Sequence, residues 1–337
     1  MFATPPPIET LMLEFEDTLD AYLPGADLEP RDLHAAMRHA VIGGGKRLRP
    51  RLLLSTLLAT HDRAPDEDTL DLAMRAAVAV EMIHAASLVH DDLPCFDDAA
   101  LRRGQPTVHQ AFGEPMAVLA GDALITLAFQ VLAEYGGPHA SAALRLVALL
   151  SEATGSARGI IGGQSLELAP GPAEYDADFV REYHQAKTAA LFRFATRAGA
   201  VVSGISREHE ERWGRVGTNL GLCLQLLDDL IDVHGCDADS GKTTGRDLAL
   251  GRPNGVLVEG SATVLHRLEQ LVDASVDLVE ALSIDPEPVR ALLDRFEAMR
   301  RQAHQSAAND SPLPTIPKAR RQTDPHRVAL LPRPAAG

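Results

Sequence analysis

The sequence predicts an all-α fold. Ala and Leu recur at helical spacing along most of the chain, aromatic residues make up only 4%, and the two-residue alternation of half-buried strands is hard to find. With 337 residues and a hydrophobic fraction of 45%, the chain can bury a sizeable core without covalent staples.

The elements follow in order. After a proline-rich start, residues 8–23 (IETLMLEFEDTLDAYL) and 30–43 (PRDLHAAMRHAVIG) carry apolar residues three and four apart, and the second run stops at Gly43, Gly44 and Gly45. Two further helices are expected over 49–60 and 66–92; the latter is apolar nearly all round from Ala76 to Val89, as a helix packed on every side must be. Helical patterns then run over 114–135, 140–168, 176–203, 208–234, 261–283 and 287–303, most of them separated by Gly or Pro. No fixed repeat period is present, which argues against a solenoid. These helices make one domain over 8–303. Residues 304–337 gather prolines, small polar residues and basic residues without an apolar face, and read as a disordered tail.

The net charge of -15 argues against a nucleic-acid or anionic-membrane partner, which would be repelled over most of the surface. An anionic ligand must therefore be met locally. Cys95, Cys223 and Cys236 are too few and too scattered for a disulfide framework or a zinc site, and reduced thiols in a cytosol fit them best. No apolar run approaches about 18 residues without a charge, and the first residues lack a basic-then-apolar leader, so a soluble, untargeted, cytoplasmic protein is expected with no stable membrane insertion.

Two acidic clusters stand out. Asp91, Asp92, Asp97 and Asp98 follow the all-apolar helix, and Asp228, Asp229 and Asp232 close another apolar run, QLLDDLIDVHG. Asp228 and Asp232 are four apart, one helical turn, and share a face. In the first cluster Pro94 must break or bulge the helix, which can bring Asp97 back toward Asp91. Like charges this close repel unless neutralised, and hard oxygen ligands suit Mg²⁺ shared with a phosphate-bearing substrate. One cluster alone reads equally as a solvated helix end; two of them, each after an apolar run, favour cation binding.

Basic residues interleave with the acidic ones. GGGKRLRP, residues 43–50, sets Lys46, Arg47 and Arg49 beside mobile glycine backbone, and Arg102 and Arg103 follow the first acidic cluster. Taken singly, these are a phosphate cradle or a solvated basic loop. Together, acid and base clusters suit a polyanion such as diphosphate, held through metal on one side and guanidinium on the other. Lys187 and Thr188 lie within an apolar helix, where a lysine is rare unless paired or functional. Gln225 sits three residues before Asp228, and His84 seven before Asp91, so each faces its cluster; a satisfied core amide and a core histidine are the plain alternatives. GCDADSGKTTG resembles a nucleotide-binding loop, but five residues rather than four separate Gly235 from Gly241 and a helix precedes it, so only Lys242 is kept, as a phosphate ligand.

These residues resemble the trans-type polyprenyl diphosphate synthases over roughly 30–303. GGGKRLRP, HDDLPCFDDAALRRGQPTVH, GGQSLEL, YHQAKTAALF and LQLLDDLIDV occur in that family's order, and the two-residue insertion in the first acidic motif is similar to the bacterial short-chain enzymes that make farnesyl or geranylgeranyl diphosphate. The resemblance implies a single-domain antiparallel helical bundle around a central cavity, commonly a homodimer, with three Mg²⁺ clamping an allylic diphosphate. It implies Asp91, Asp97, Asp228 and Asp232 as metal ligands. Arg102, Lys187, Thr188, Gln225 and Lys242 would hold the allylic substrate, and Lys46, Arg49, His84 and Arg103 isopentenyl diphosphate. Ionisation of the allylic C–O bond leaves a cation that Thr188, Gln225 and nearby carbonyls steady; isopentenyl diphosphate attacks it, and released diphosphate takes the proton.

Three positions depart from the family pattern: Leu224 for a phenylalanine, Glu167 for an aspartate and Arg252 for a lysine. The family's basic C-terminal end gives way to the tail, which leaves open whether Arg300 or Arg301 closes the site. Ala86 and Ser87, five and four residues before Asp91, are small where an aromatic stops growth at C15, so geranylgeranyl diphosphate (C20) is the expected product, with farnesyl diphosphate as the alternative and Met82 and Ile83 as the candidate floor. A class I terpene cyclase does not need GGGKRLRP. An HD-type phosphohydrolase built on His84, His90 and Asp91 leaves the second acidic cluster unexplained, and a catalytically silent regulatory subunit would be expected to have lost one cluster.

Overall fold

The computed structural model describes residues 6–168, 175–234 and 252–308. Its helices are α1 (Ile8–Tyr22), α2 (Arg31–Ile42), α3 (Leu48–Ala59), α4 (Glu67–Asp91), α5 (Val108–Phe112), α6 (Glu114–Ala133), α7 (Ala140–Thr154), α8 (Ile160–Glu167), α9 (Ala177–His184), α10 (Ala190–Val202), α11 (Arg207–His234), α12 (Gly255–Glu259), α13 (Ser261–Leu282) and α14 (Glu287–Ala308). A π-helical turn over Gln185–Ala189 joins α9 to α10. The strands among the described residues are β1 (Leu101–Arg102) and β2 (Gln105–Pro106), an antiparallel hairpin whose turn residues Arg103 and Gly104 both have positive φ. The all-α expectation holds.

Helix α4 starts where Asp66 caps it, accepting from the Thr69 N–H at 2.8 Å, and then runs through the interior. Every residue from Ala76 to Ile83 is buried, because α3, α6 and α10 pack around it. Helix α11 plays the same part in the other half, against α10, α13 and α14. Buried ion pairs lock that half: Arg197 on α10 binds Glu210 on α11 at 2.5 Å, and Arg145 on α7 reaches the same carboxylate at 2.9 Å.

The single helix expected over 140–168 is two. Gly155 takes an extended backbone after α7, and Gly159 packs so closely on Ala153 that a side chain there would collide with its carbonyl; apolar spacing continues on both sides and hides the break. The last helix runs to Ala308, past the boundary expected at 303. Both α4 and α6 are long and apolar enough to cross a membrane by length and composition, although α4 lies mostly inside the bundle. Cys95 is exposed and Cys223 buried, neither in a disulfide; Cys236 lies outside the described residues.

Candidate active site

The two acidic clusters occupy the C-terminal ends of α4 and α11. A helix C-terminus carries partial negative charge, so carboxylates are disfavoured there unless a cation joins them. At the end of α4 the chain turns at Pro94, and the Asp97 N–H donates to the Asp91 carbonyl at 2.9 Å, the return that the proline predicts. Burial pushes the Asp91 carboxyl up to about 6, and neighbouring Glu167 and Asp97 add to this against the opposing pull of Lys187 and Arg102. Burial therefore disfavours the charged Asp91 carboxylate, a cost that a bound divalent cation would offset. Among the described residues, no three His, Cys, Asp or Glu side chains already converge as a metal cage. On α11, Asp228 is exposed and Asp232 half-buried.

The second aspartate of each pair turns inward. Buried Asp92 accepts from Arg102 Nε and Nη2 at 2.7 and 2.6 Å. Burial alone would lower Arg102, but its bonds to Asp92 and the charges of Asp92, Asp91 and Asp97 more than offset this and hold it above the usual arginine value. Fully buried Asp229 accepts from Gln225 Nε2 at 3.1 Å and from the Gly255 N–H at 2.7 Å.

Lys187 and Thr188 sit in the π-helical turn, a distortion that often marks functional sites. Helix α8 presses on it through Gly163, where any side chain would collide with the Lys187 backbone. Lys187 Nζ meets Glu167 Oε2 at 2.5 Å, and the Tyr183 hydroxyl donates to Glu167 Oε1 at 2.8 Å. Arg252 binds Asp97 and stands 3.8 Å from Glu167. Glu167 therefore gathers two of the cations on this side, Lys187 and Arg252, a role the sequence signalled only by its departure from the family pattern. Gln164 Nε2 is buried without a protein partner on the same helix. Thr188 Oγ1 donates to Gln225 Oε1 at 2.6 Å, which links α11 to the π-turn.

The basic pocket is built around α4. Arg47 holds a left-handed conformation at the start of α3 and is fixed by Glu16 at 2.8 Å, Glu81 at 2.7 Å and the Val41 carbonyl at 3.0 Å, so it braces the loop. That bracing leaves Lys46 exposed and Arg49 buried, with the Arg49 guanidinium 4.9 Å from the Phe192 ring centre and its Nε without a partner. Burial, with some help from Arg103 and against Glu81, pushes Arg49 down to about 10. Arg103 lies on the Gly44 carbonyl and over Gly45, where a side chain would touch its guanidinium. Burial first, then Arg49, Arg103, Arg102 and Arg47, hold His84 neutral, far below the ordinary histidine value. A small cleft of about 40 Å³ opens beside this pocket, lined by Gly43, Val89, Asp92, Arg102 and Arg103 among others.

Of the sequence-predicted residues, Asp91, Asp97, Arg102 and Lys187 gather on one side, with Thr188 and Gln225 bonded to each other, and Arg49, His84 and Arg103 on the other. Lys242 lies outside the described residues. His90 turns away toward α6, its Nε2 3.3 Å from the Val118 carbonyl, so the His84, His90 and Asp91 set of the phosphohydrolase reading is not assembled. Arg300 is held by Glu297 at 2.5 Å and lies 3.7 Å from Glu269.

Residues 30–278 match the polyprenyl synthetase family. The geranylgeranyl diphosphate synthase of Cereibacter sphaeroides is 42% identical over 275 residues, covering 81% of this chain and 88% of that one. That of Rhodobacter capsulatus is 40% identical, covering 73% and 81%. Among solved structures, an FPP/GFPP synthase from Zymomonas mobilis superposes with a TM-score of 0.72 at 33% identity, covering 85% of this chain and 95% of that one. A geranyltransferase from Helicobacter pylori complexed with magnesium and isoprenyl diphosphate gives 0.72 at 31% identity, covering 88% and 96%.

Proposed function

The chain belongs to the polyprenyl synthetase family, and on that premise we propose that it is a prenyltransferase that condenses isopentenyl diphosphate with an allylic diphosphate, head to tail, to give geranylgeranyl diphosphate. The observation that supports this reading is the presence of two unlike sets of groups: the carboxylates Asp91, Asp97 and Glu167 beside Lys187 and Arg102, and the basic residues Arg49 and Arg103 around His84. A reaction with one diphosphate needs only the first.

On this reading Asp91, Asp97, Asp228 and Asp232 hold Mg²⁺, three ions per site as the family resemblance implies. Held by these carboxylates, Mg²⁺ would supply the charge that neutralises an allylic diphosphate and its departing oxygen. Lys187, Arg102, Arg252 and Lys242 supply the fixed positive charge around that leaving group, with Glu167 and Asp92 orienting three of the four. The Thr188 oxygen faces the carbon left positive when the C–O bond breaks. Lys46, Arg49 and Arg103 bind isopentenyl diphosphate, and neutral His84 adds a hydrogen bond without a charge. The double bond attacks the allylic carbon, and the released diphosphate removes the proton, so no side-chain base is required.

The C20 assignment rests on the small size of Ala86 and Ser87, together with the geranylgeranyl diphosphate synthases to which the chain is similar. Ala86 is fully buried and Ser87 half-buried, its hydroxyl bonded to the His84 carbonyl at 2.8 Å, about one turn below Asp91. Helix α6 exposes Val118 and Leu119, which fits burial against a second copy in a homodimer. The activity is assigned to the helical unit 8–303, in the cytoplasm. Mass spectrometry of products from isopentenyl diphosphate and each allylic primer tests the reading: wild type is expected to make C20, and Ala86→Phe mainly C15. Absence of any prenyl product would overturn it, and C20 from the Phe variant would remove this stretch of α4 as the limit on length.

A further inference from the structure

The roles above leave Asp229 without a task, although it is more completely buried than Asp92. It lies four residues after Gln225 on the same face of α11. Its Oδ1 accepts from Gln225 Nε2 at 3.1 Å and its Oδ2 from the Gly255 N–H at 2.7 Å, with His184 Nε2 3.4 Å away. The Gly255 N–H is aimed there by Asn254, which caps α12 by accepting from Val256 and Leu257 at 2.9 and 3.2 Å. A Cβ at Gly255 would stand 3.0 Å from Asp229 Oδ2, a tight contact, so the two groups are closely packed.

A carboxylate offers only lone pairs, so Gln225 must turn its amide NH₂ toward Asp229 and its carbonyl toward Thr188. Thr188 then donates its single proton to that carbonyl, at 2.6 Å. Donation runs one way, from Thr188 through Gln225 to Asp229. With its proton committed, the Thr188 oxygen has lone pairs left for a positive centre.

We propose that Asp229 is a positioning residue that fixes the direction of this hydrogen-bond chain, so that Thr188 presents lone pairs and not a proton to the allylic cation. The inference rests on the prenyl-transfer reading. In Asp229→Asn the new carbonyl can keep the Gly255 N–H, but the new NH₂ faces Gln225, whose amide must flip. Thr188 then accepts from Gln225 and its own proton turns outward, toward the developing cation.

The test is steady-state kinetics of the full-length protein with Mg²⁺, both substrates varied, in a double-mutant cycle. Asp229→Asn is expected to lower kcat by about 30-fold, with both KM values within about threefold. In a Thr188→Val background, where there is no hydroxyl to orient, the same substitution is expected to cost less than about threefold. An ammonium analogue of the allylic cation should lose affinity for Asp229→Asn while a non-ionisable allylic diphosphate analogue does not. If Asp229→Asn does not fold, as judged by circular dichroism, Gln225→Met, which breaks the relay between Asp229 and Thr188, carries the same cycle: a loss in kcat that largely vanishes in the Thr188→Val background is expected. Equal losses in the wild-type and Thr188→Val backgrounds, or a raised primer KM at unchanged kcat, overturn the inference while leaving prenyl transfer intact. A wild-type protein without prenyl products overturns the underlying reading instead.

Discussion

Asp91-Asp92 and Asp228-Asp229 are the same dipeptide near the same end of a long helix, yet their buried second members bond to different kinds of group. Asp92 is paired with a guanidinium, whereas the partners of Asp229 include the neutral N–H groups of Gln225 and Gly255, with His184 Nε2 3.4 Å away. In both places successive side chains point about 100° apart, so one aspartate faces the site and the next faces the protein. The difference lies in what the inward aspartate controls. Asp92 fixes a charge and so bears on binding; Asp229 fixes a dipole and so bears on the direction of a hydrogen bond.

The site-facing aspartates should matter most. Asp91→Ala is expected to lower kcat by about three orders of magnitude or more with the helical circular dichroism spectrum unchanged, because the cation loses an anchor beside the leaving group. Near-normal turnover of that variant would break the link between the cluster and catalysis. A smaller effect separates the two inward residues. Asp92→Asn weakens the fork that orients Arg102, and the KM for the allylic primer is expected to rise about tenfold with kcat within a few fold. That is the converse of the pattern expected for Asp229→Asn. If Asp92→Asn instead lowers kcat at constant KM, the two clusters do not divide the work in this way.

Much of this was legible in the sequence, and the rest was hidden for identifiable reasons. Helical periodicity located the long helices, the all-apolar stretch from Ala76 marked α4 as central, and Pro94 announced the turn that brings Asp97 back to Asp91. The break at Gly155 was missed because apolar spacing carries on through it. Which member of each Asp-Asp pair turns inward was not legible, since it depends on Arg102 and on Gly255, which is 26 residues from Asp229 along the chain. Arg47 looked like a third phosphate ligand until its partners Glu16 and Glu81 appeared from other helices. Glu167 shows the same limit: its role rests on Tyr183, Lys187 and Arg252 arriving from three later segments.

The central claim is that one diphosphate binds through carboxylates and metal and the other through basic residues alone. Isothermal titration calorimetry on the full-length protein, in excess chelator and then in Mg²⁺, addresses it directly. Isopentenyl diphosphate is expected to bind without metal and to weaken about tenfold or more in Lys46→Ala, whereas a non-ionisable allylic diphosphate analogue is expected to bind only when Mg²⁺ is present. Equal metal dependence of the two ligands, or isopentenyl diphosphate binding unaffected by Lys46→Ala, would contradict the account.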